Sequence, residues 1–298
     1  MSVRALGYRR GHDNISWWSW LPFVLACSVL FTAAGLAWPG AFGAARGLWR
    51  QTSTNPGTAG NIASEPSASA AAAVRPVSND CSGGPVYFTF DDGPAPSTVD
   101  VLDRLKALNI KATFFDIGDH IQGRQDILTR QISEGHSVQN HTYHHPNLVT
   151  GVDVNGVQRQ PWGDLQIETE LERANTAIVA AGAPRPTQYR PPYGAINKDV
   201  DQIAQRLGLR LVMSWGNSDA DNIIVDSRDT EQGVTSDDIA RNVGASIKAD
   251  SIISMHDGET VSARNDVQAL QSIVDTMNAR HLCASIRIRP DATGNVLR

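Results

Sequence analysis

The stretch Val86-Tyr87-Phe88-Thr89-Phe90-Asp91-Asp92-Gly93-Pro94 decides the fold of this chain. Its apolar run ends at two adjacent carboxylates before a Gly-Pro turn, which is the pattern of a buried strand that presents both acids at its carboxyl end. Neighbouring aspartates repel each other and point to different sides of the backbone. Each therefore needs its own partner, such as a metal ion, a proton or an arginine. A helix cap or a plain turn is the alternative interpretation of this stretch. The segments that follow it in the chain decide between the two.

The first eighty of the 298 residues differ in composition from the rest. Residues 15–38 are uncharged, have tryptophans near their ends and follow three arginines. This pattern predicts a signal peptide or a single transmembrane anchor behind a cytoplasmic segment, residues 1–14. Either alternative predicts an extracytoplasmic protein, secreted or tethered to the cell membrane. Residues 39–80, rich in Ser, Ala, Gly and Pro, predict a flexible linker before one domain, residues 81–298.

Charge and cysteine usage limit the partners of this domain. A net charge of −5 argues against binding to nucleic acid. We expect a monomer that meets a membrane only through its N-terminal segment. Cys81 and Cys283 lie at the two ends of the domain, and in an exported protein such a pair predicts a disulfide. Two unrelated thiols are the alternative.

Strand and helix patterns alternate about seven times along the domain, which predicts an α/β fold with parallel strands and helices outside. Residues 81–298 are fewer than the ~250 typical of a full eightfold TIM barrel. In barrels of this kind the chemistry lies where the strands end. The motifs described next all fall at predicted strand ends.

Four histidines occur between residues 136 and 145. His141 and His145 lie on one face if the backbone makes a helical turn, and that spacing allows two imidazoles to share a divalent ion. Asp92 could complete an Asp-His-His set with open positions for water and substrate. We interpret His136 and His144 as surface or packing histidines.

Two further segments end strands with a titratable or charged side chain. In Arg190-Pro191-Pro192-Tyr193-Gly194 the arginine can reach a nearby carboxylate, although a structural turn is the alternative. The apolar run at residues 252–255 ends at His256. Taken alone, that position indicates a capping histidine more than an acid.

In this order, the segments around Asp91, His141 and Arg190 resemble the polysaccharide deacetylases, carbohydrate esterase family 4, whose domain is also described as nodulation-protein-B-like. The resemblance covers about residues 81–284. With its bracketing cysteines, the domain is similar to secreted bacterial members that act on chitin-type oligomers or acetylated xylan. The resemblance implies a distorted (β/α)7–8 barrel, TIM-like, with about seven parallel strands. It also implies one divalent metal ion, zinc or cobalt.

The resemblance also implies a role for each motif residue. Asp91 would be the general base, held by Arg190, and His256 would be the general acid. The other implied residues are the metal ligands Asp92, His141 and His145, the oxyanion-binding N–H of Tyr193, the substrate-binding residues Pro192, Tyr193 and Trp215, and Asp221 as the carboxylate that orients His256.

The sequence departs from the family pattern around the acyl pocket. The family's Asp-x-x-Asp-Trp motif is expected beyond Trp215, where the best register ends at Asp221 with Asn222 in place of the tryptophan; Asp219 is the alternative. Ser254 replaces the leucine usual two residues before the acid. Two polar side chains there predict a wetter or wider pocket.

Other features of the sequence are unusual. Asp116 is an acid in an apolar strand, and residues 151–163 and 223–236 are predicted to be enlarged loops at the mouth of the barrel. Trp162 in the first of these could stack on a sugar or merely cover the barrel.

The sequence thus predicts a metal-dependent amide hydrolase that removes acetyl groups from an N-acetylglucosamine polymer, either chitin oligosaccharides or peptidoglycan. A water activated by the metal would attack, with Asp91 as base and His256 as acid. An acetylxylan esterase with the same site is the alternative within this class. A catalytically impaired glycan-binding module is the alternative from another class.

Overall fold

The computed structural model describes residues 73–152, 156, 162–214, 223–258 and 260–288. Strands and helices alternate along them as the sequence pattern predicts. The strands are β1 (Gly84–Asp91), β2 (Thr113–Asp116), β3 (Ser137–Asn140), β4 (Gln188–Tyr189), β5 (Arg210–Leu211), β6 (Ile224–Asp226), β7 (Ile252–His256) and β8 (Leu282–Ala284). The helices are α1 (Thr98–Ala107), α2 (Gln125–Ser133), α3 (Asp164–Ala180), α4 (Lys198–Arg206), α5 (Ser236–Ser246) and α6 (Thr260–Ala279).

Seven strands form one curled, half-barrel sheet in the order β5-β4-β3-β2-β1-β7-β6, and β8 pairs with the first residues of β1. All of these pairs are parallel. The predicted distorted α/β barrel with about seven parallel strands is therefore confirmed. Because the strands run the same way, their carboxyl ends meet at one edge of the sheet.

The central strand β1 is buried on both faces, as its continuous apolar run predicts. Residues 86–91 have at most 2% of their surface exposed, and β1 lies between β2 and β7. Helix α1 covers this region with its predicted apolar face, in which Val101, Leu102, Leu105 and Leu108 are fully buried. Burial of each such side chain contributes about 1.5–3 kcal/mol, so this layer fixes the position of the carboxyl end of β1.

The two ends of the domain are joined. Cys81 and Cys283 form the predicted disulfide, with their Cα atoms 5.0 Å apart. The last residues of the segment predicted as a linker also contact the domain: Val77 is buried in the main core, and Arg75 forms an ion pair with Asp275 of α6. The ordered domain thus includes residues before Cys81.

The prediction of a loop over residues 223–236 is wrong at its beginning, because Ile224–Asp226 form β6 and pair with β7. Three residues are too short a run to stand out as a strand in the sequence, and this one forms at the edge of the sheet by pairing with a buried neighbour. In the part of the chain that the structure describes, no helix is both long and apolar enough to cross a bilayer. The predicted signal or anchor, residues 15–38, lies outside that part.

Candidate metal centre and active site

Four strands bring their motif residues to one edge of the sheet. Asp91 ends β1 opposite His256 of β7 in the parallel register. Asn140 of β3 pairs with Tyr189 of β4, so the residues that follow these strands, His141 and Arg190, leave the sheet side by side. The widely spaced sequence motifs therefore meet because parallel strands share a carboxyl edge.

Asp91 and Arg190 form a buried ion pair at the centre of this edge. Nη1 of Arg190 donates to Oδ1 of Asp91 at 2.7 Å and to Oγ1 of Thr89 at 2.8 Å. Arg190 has no exposed surface, and its other nitrogens donate to the carbonyl oxygens of Val212 and Met213. A buried charge pair is stable only when its remaining donors are satisfied, as they are here. The arginine therefore holds one carboxylate oxygen of Asp91 in a fixed position.

Asp92, His141 and His145 form a compact cluster beside this pair. One ligand atom from each lies within 4.8 Å of the others. Oδ1 of Asp92 is 3.3 Å from Nε2 of His141 and 3.1 Å from Nε2 of His145. No other group of three or more histidine, cysteine or acidic side chains in the described residues meets this geometry.

The donor set of this cluster fits a divalent cation. Oδ1 of Asp92 is buried yet accepts no well-aligned hydrogen bond from the protein. Nδ1 of His141 lies 2.7 Å from the carbonyl oxygen of Arg190, and Nδ1 of His145 lies 3.2 Å from the hydroxyl of Tyr193. Metal-binding histidines are held in this way through the second ring nitrogen, which leaves Nε2 for the ion. A carboxylate and two imidazoles suit zinc, and an Asp-His-His set leaves further coordination positions open.

His141 and His145 do not meet through a helical turn, as the spacing argument supposed. Residues 141–147 are irregular, and Thr142 and His145 adopt left-handed φ values of 67° and 58°. Asp92 and Tyr193 are left-handed too, at φ 75° and 58°. Such conformations cost of order 1–3 kcal/mol each and persist only where the surroundings impose them, which is typical of functional sites.

Glu170 of α3 fixes the loop that carries both histidines. Its Oε2 accepts hydrogen bonds from the backbone N–H groups of Tyr143 at 3.1 Å and His144 at 2.9 Å, and its Oε1 lies 2.5 Å from Nδ1 of His144. Glu170 is itself 6% exposed. The buried carboxylate thus replaces the water that would otherwise solvate these amides and keeps the loop in its strained shape.

His256 is paired with a carboxylate that the sequence analysis missed. Its Nδ1 lies 3.0 Å from Oδ1 of Asp229, whose Oδ2 also accepts the backbone N–H of His256 at 2.9 Å. Burial alone would lower the pKa of His256, but the hydrogen bond and charge of Asp229, with the charges of Asp91 and Asp92, raise it to about 9. The pairing with Asp229 therefore favours the protonated, imidazolium form of His256.

The predicted orienting residue Asp221 lies outside the described residues, as do Asp219, Asn222 and Trp215. The partner seen on His256 is Asp229. Asp226-Ser227-Arg228-Asp229-Thr230 has the Asp-x-x-Asp spacing of the family motif, with threonine in the place of tryptophan. That spacing was the available signal, and it was obscured because residues 223–236 were predicted to be a loop.

The segment after β4 forms a tight turn. Pro192–Gly194 make one turn of 3-10 helix, and Pro192 is buried in it. The ring of Tyr193 is 49% exposed and contacts His145 edge to face, with ring centroids 4.8 Å apart. Tyr193 therefore borders the cluster, while substrate contact by Pro192 stays a prediction.

Other residues singled out in the sequence have structural partners. His136 is buried against Phe114 and accepts the N–H of Ala112, which identifies it as a packing residue. Asp116 is fully buried beside Gln131, and burial raises its pKa to about 7. Trp162 packs on the core cluster around β4 and α4, which favours the covering role over sugar stacking.

Two more side chains border this edge. Ser254, in β7, is 1% exposed and lies on the same face as His256. His120 was not predicted; its Nδ1 lies 2.9 Å from the carbonyl oxygen of Asp92. It follows β2 in a short 3-10 helix, Gly118–Ile121, where nothing in the sequence links it to the metal cluster.

Known proteins are similar to this chain in both sequence and fold. Residues 78–212 match the polysaccharide deacetylase family. A chitooligosaccharide deacetylase of Bradyrhizobium is 34% identical over 70% of this chain and 91% of its own length. A bifunctional xylanase/xylan deacetylase of Cellvibrio japonicus is 36% identical over 72% of this chain, but the match spans only 28% of that larger protein.

A solved structure is also similar to this chain. The family 4 carbohydrate esterase of Streptomyces lividans, determined with acetate, superimposes with a TM-score of 0.58 and 30% identity over 69% of this chain and 93% of that one. The curled parallel sheet and the site at its carboxyl edge are thus accompanied by matching sequence over most of the described domain. The chain belongs to the polysaccharide deacetylase family, carbohydrate esterase family 4.

Proposed function

We propose that this chain is a metal-dependent hydrolase that removes acetyl groups from an N-acetylglucosamine polymer, either chitin oligosaccharides or peptidoglycan. The observation that carries the proposal is the meeting of three units at one edge: the Asp91–Arg190 pair, the Asp92-His141-His145 cluster and the imidazolium His256. Together they supply a base, a cation site and an acid, which are the groups that metal-dependent hydrolysis of an amide uses.

Asp92, His141 and His145 would hold one divalent ion, zinc or cobalt. Such an ion lowers the pKa of water and polarises a carbonyl oxygen. The chain contributes the shape of the site: the strained loop held by Glu170 and the Nδ1 contacts keep both Nε2 atoms directed at Asp92.

Asp91 is the proposed general base. Arg190 occupies its Oδ1 at 2.7 Å, so Oδ2 is the oxygen assigned to take a proton from the attacking water. The fixed ion pair also orients the oxygen, and orientation makes a proton transfer efficient.

His256 is the proposed general acid. Asp229 engages Nδ1 and the backbone N–H of this residue, which leaves Nε2 to deliver a proton to the departing amine of the sugar. Its pKa of about 9 keeps the ring protonated at neutral pH, as an acid must be before the bond breaks.

The backbone N–H of Tyr193 is proposed to bind the oxyanion that forms when the acyl carbon is attacked. Its left-handed backbone, φ 58° and ψ 15°, is imposed by the Pro-Pro-Tyr-Gly turn next to His145. One backbone donor of this kind is typically worth about 3–4 kcal/mol in the transition state. Ser254 and Thr230 supply polar atoms where the family pattern has leucine and tryptophan, which supports the proposal of a wetter acyl pocket.

The choice of polymer decides between the main proposal and its alternative. The chitooligosaccharide deacetylase of Bradyrhizobium matches over most of its length, which favours an N-acetyl substrate. The match to the xylan deacetylase of Cellvibrio japonicus favours O-acetyl groups on xylan. The catalytic residues do not discriminate, because the two reactions differ only in the atom that His256 protonates.

Acetate release from chitin oligosaccharides, peptidoglycan and acetylated xylan tests this proposal. We expect the zinc-loaded protein to release acetate from an N-acetylglucosamine polymer, to lose activity in chelator and to regain it with zinc. Preference for acetylated xylan would establish the esterase. No release from any of the three would favour an impaired glycan-binding module, which direct binding to the same polymers would then reveal.

The proposed setting is extracytoplasmic. We propose a monomer that is secreted or held at the cell membrane by residues 15–38, with acetylated polysaccharide as its partner. The uncharged run behind three arginines and the Cys81–Cys283 disulfide support this setting.

A further inference from the structure

A second acid lies behind the His256–Asp229 pair. Asp266 projects from α6, has no exposed surface and places Oδ2 3.4 Å from the backbone nitrogen of His256. Asp229 places its own Oδ2 2.9 Å from the same nitrogen, and the two side chains are within hydrogen-bonding contact. Two carboxyl groups thus meet in one buried corner beneath the proposed acid.

The corner has too few cations for both acids to be ionised. Among the described residues, the positive charge that faces Asp229 is the ring of His256, and no lysine or arginine forms an ion pair with either acid. Two adjacent carboxylates in a buried site cannot both remain charged, because each raises the pKa of the other. One of them must hold a proton.

The hydrogen-bond donors decide which acid holds it. Asp229 accepts from the ring and the backbone of His256 and from the hydroxyl of Ser227 at 2.8 Å. Asp266 receives one long hydrogen bond, and its Oδ1 has no donor. Donors stabilise the ionised form, so the charge belongs on Asp229 and the proton on Asp266.

We propose that Asp266 is a positioning residue that stays protonated and donates a hydrogen bond to Asp229, forming a three-residue relay with His256. This inference rests on the proposed function for its role but not for its chemistry. The donated hydrogen bond holds Asp229 against His256. It also makes the Asp229 carboxylate a weaker base, so the proton between Asp229 and His256 stays on the imidazole. A neutral Asp266 also adds no further negative charge beneath the ring.

Other charged groups face this corner and affect the pKa of His256 or of Asp266. They lie at the carboxyl ends of β1, β6 and β7 or directly after them, and in the described residues they include Asp91, Asp92, Asp226 and Asp257. All are acids, so none supplies the cation that an ionised Asp266 would need. Burial and the charge of Asp229 both raise the pKa of Asp266 well above its usual value, in agreement with the geometry.

Two measurements on the zinc-loaded full chain, made without substrate, test whether Asp266 carries a proton. The infrared spectrum should show a protonated carboxyl band that Asp266→Asn removes and Asp275→Asn, on the exposed side of the same helix, leaves in place. The midpoint of the His256 imidazole, followed by NMR and assigned with His256→Gln, should change by less than about 0.3 pH units in Asp266→Asn, because a neutral donor replaces a neutral donor. A midpoint lowered by about one unit or more would show that Asp266 is ionised and would overturn the proposal.

Kinetics test the role. Asp266→Ala should lower kcat about tenfold with KM unchanged, and Asp266→Asn should restore most of that loss, since its amide can donate to Asp229. An unchanged kcat in a folded Asp266→Ala protein would overturn the positioning role. If the alanine variant does not fold, the infrared and NMR results for Asp266→Asn still decide whether the proton is there. If the wild type hydrolyses none of the polymers, the proposed function fails while these two measurements keep their meaning.

Discussion

Replacing Asp229 with asparagine should convert His256 into an acid that works only at low pH. The pKa of His256 is about 9, against an ordinary value of 6.5. A shift of 2.5 units corresponds to about 3 kcal/mol, and the hydrogen bond and charge of Asp229 are its largest favourable contributions. Burial acts in the opposite direction, so without the charge of Asp229 the pKa should fall to about 6.5 or below.

The magnitude of the effect follows from the protonated fraction. At pH 8 a group with a pKa of about 9 is roughly 90% protonated, whereas one with a pKa of about 6.5 is roughly 3% protonated. The acid-dependent rate of Asp229→Asn should therefore fall about 30-fold at pH 8 and less than about twofold at pH 6. The alkaline limb of the rate profile should move from near pH 9 to about pH 6.5. Acetate release measured across this range, with saturating zinc, provides the assay.

A matched control separates this effect from general damage. Asp226 ends β6, three residues before Asp229, and is exposed. Among the described contacts it interacts with His256 through its charge alone. Asp226→Asn should move the alkaline limb much less than Asp229→Asn does. If Asp229→Asn loses the same factor at every pH, or leaves the alkaline limb in place, then Asp229 does not set the proton affinity of His256 and the reasoning is refuted.

Three further predictions concern other parts of the domain. Asp91→Asn should reduce kcat by about 10²–10⁴ while zinc still binds with near wild-type affinity in calorimetry; normal turnover would exclude Asp91 as the base. Glu170→Gln should weaken zinc binding by about 10-fold, because it disrupts the loop that carries His141 and His145, whereas Glu168→Gln on the exposed face of α3 should not; equal affinities would contradict the anchoring role. Replacing Cys81 and Cys283 with serine frees a loop of 202 residues and should lower the free energy of unfolding by up to about 5 kcal/mol in denaturant titrations; an unchanged midpoint would show that the bond adds no stability.

The sequence predicted best where a pattern is continuous and buried. The apolar run of β1, the helical spacing of α1 and the alternation of strands and helices led to a parallel sheet whose carboxyl edge gathers the motifs. The two cysteines were also paired correctly, because they lie at the two ends of the domain. These inferences depend on periodicity and on position in the chain, which the residue types record directly. The pairing of Arg190 with Asp91 was implied by the family resemblance, because the residues alone showed only an arginine that could reach a nearby carboxylate.

The sequence predicted less where backbone geometry or a short segment decides the contact. His141 and His145 meet because Thr142 and His145 adopt the left-handed conformation, which cannot be predicted from a threonine or a histidine in the sequence. Asp229 follows a strand of three residues, too short for a periodicity to be recognised. Glu170 acts through backbone amides, and the role proposed for Asp266 depends on a single proton; neither kind of partner can be recognised from the order of residues.

The disulfide and the motif residues lie at opposite ends of the sheet. Cys81 stands just before Gly84, where β1 begins, and Asp91 ends the same strand seven steps later, roughly 23 Å away. Residues 75–77 contact α6 and the main core near its disulfide end. Any force that reached the domain through residues 75–77 would therefore act on the disulfide end of the sheet, a full strand away from the edge that carries the motif residues.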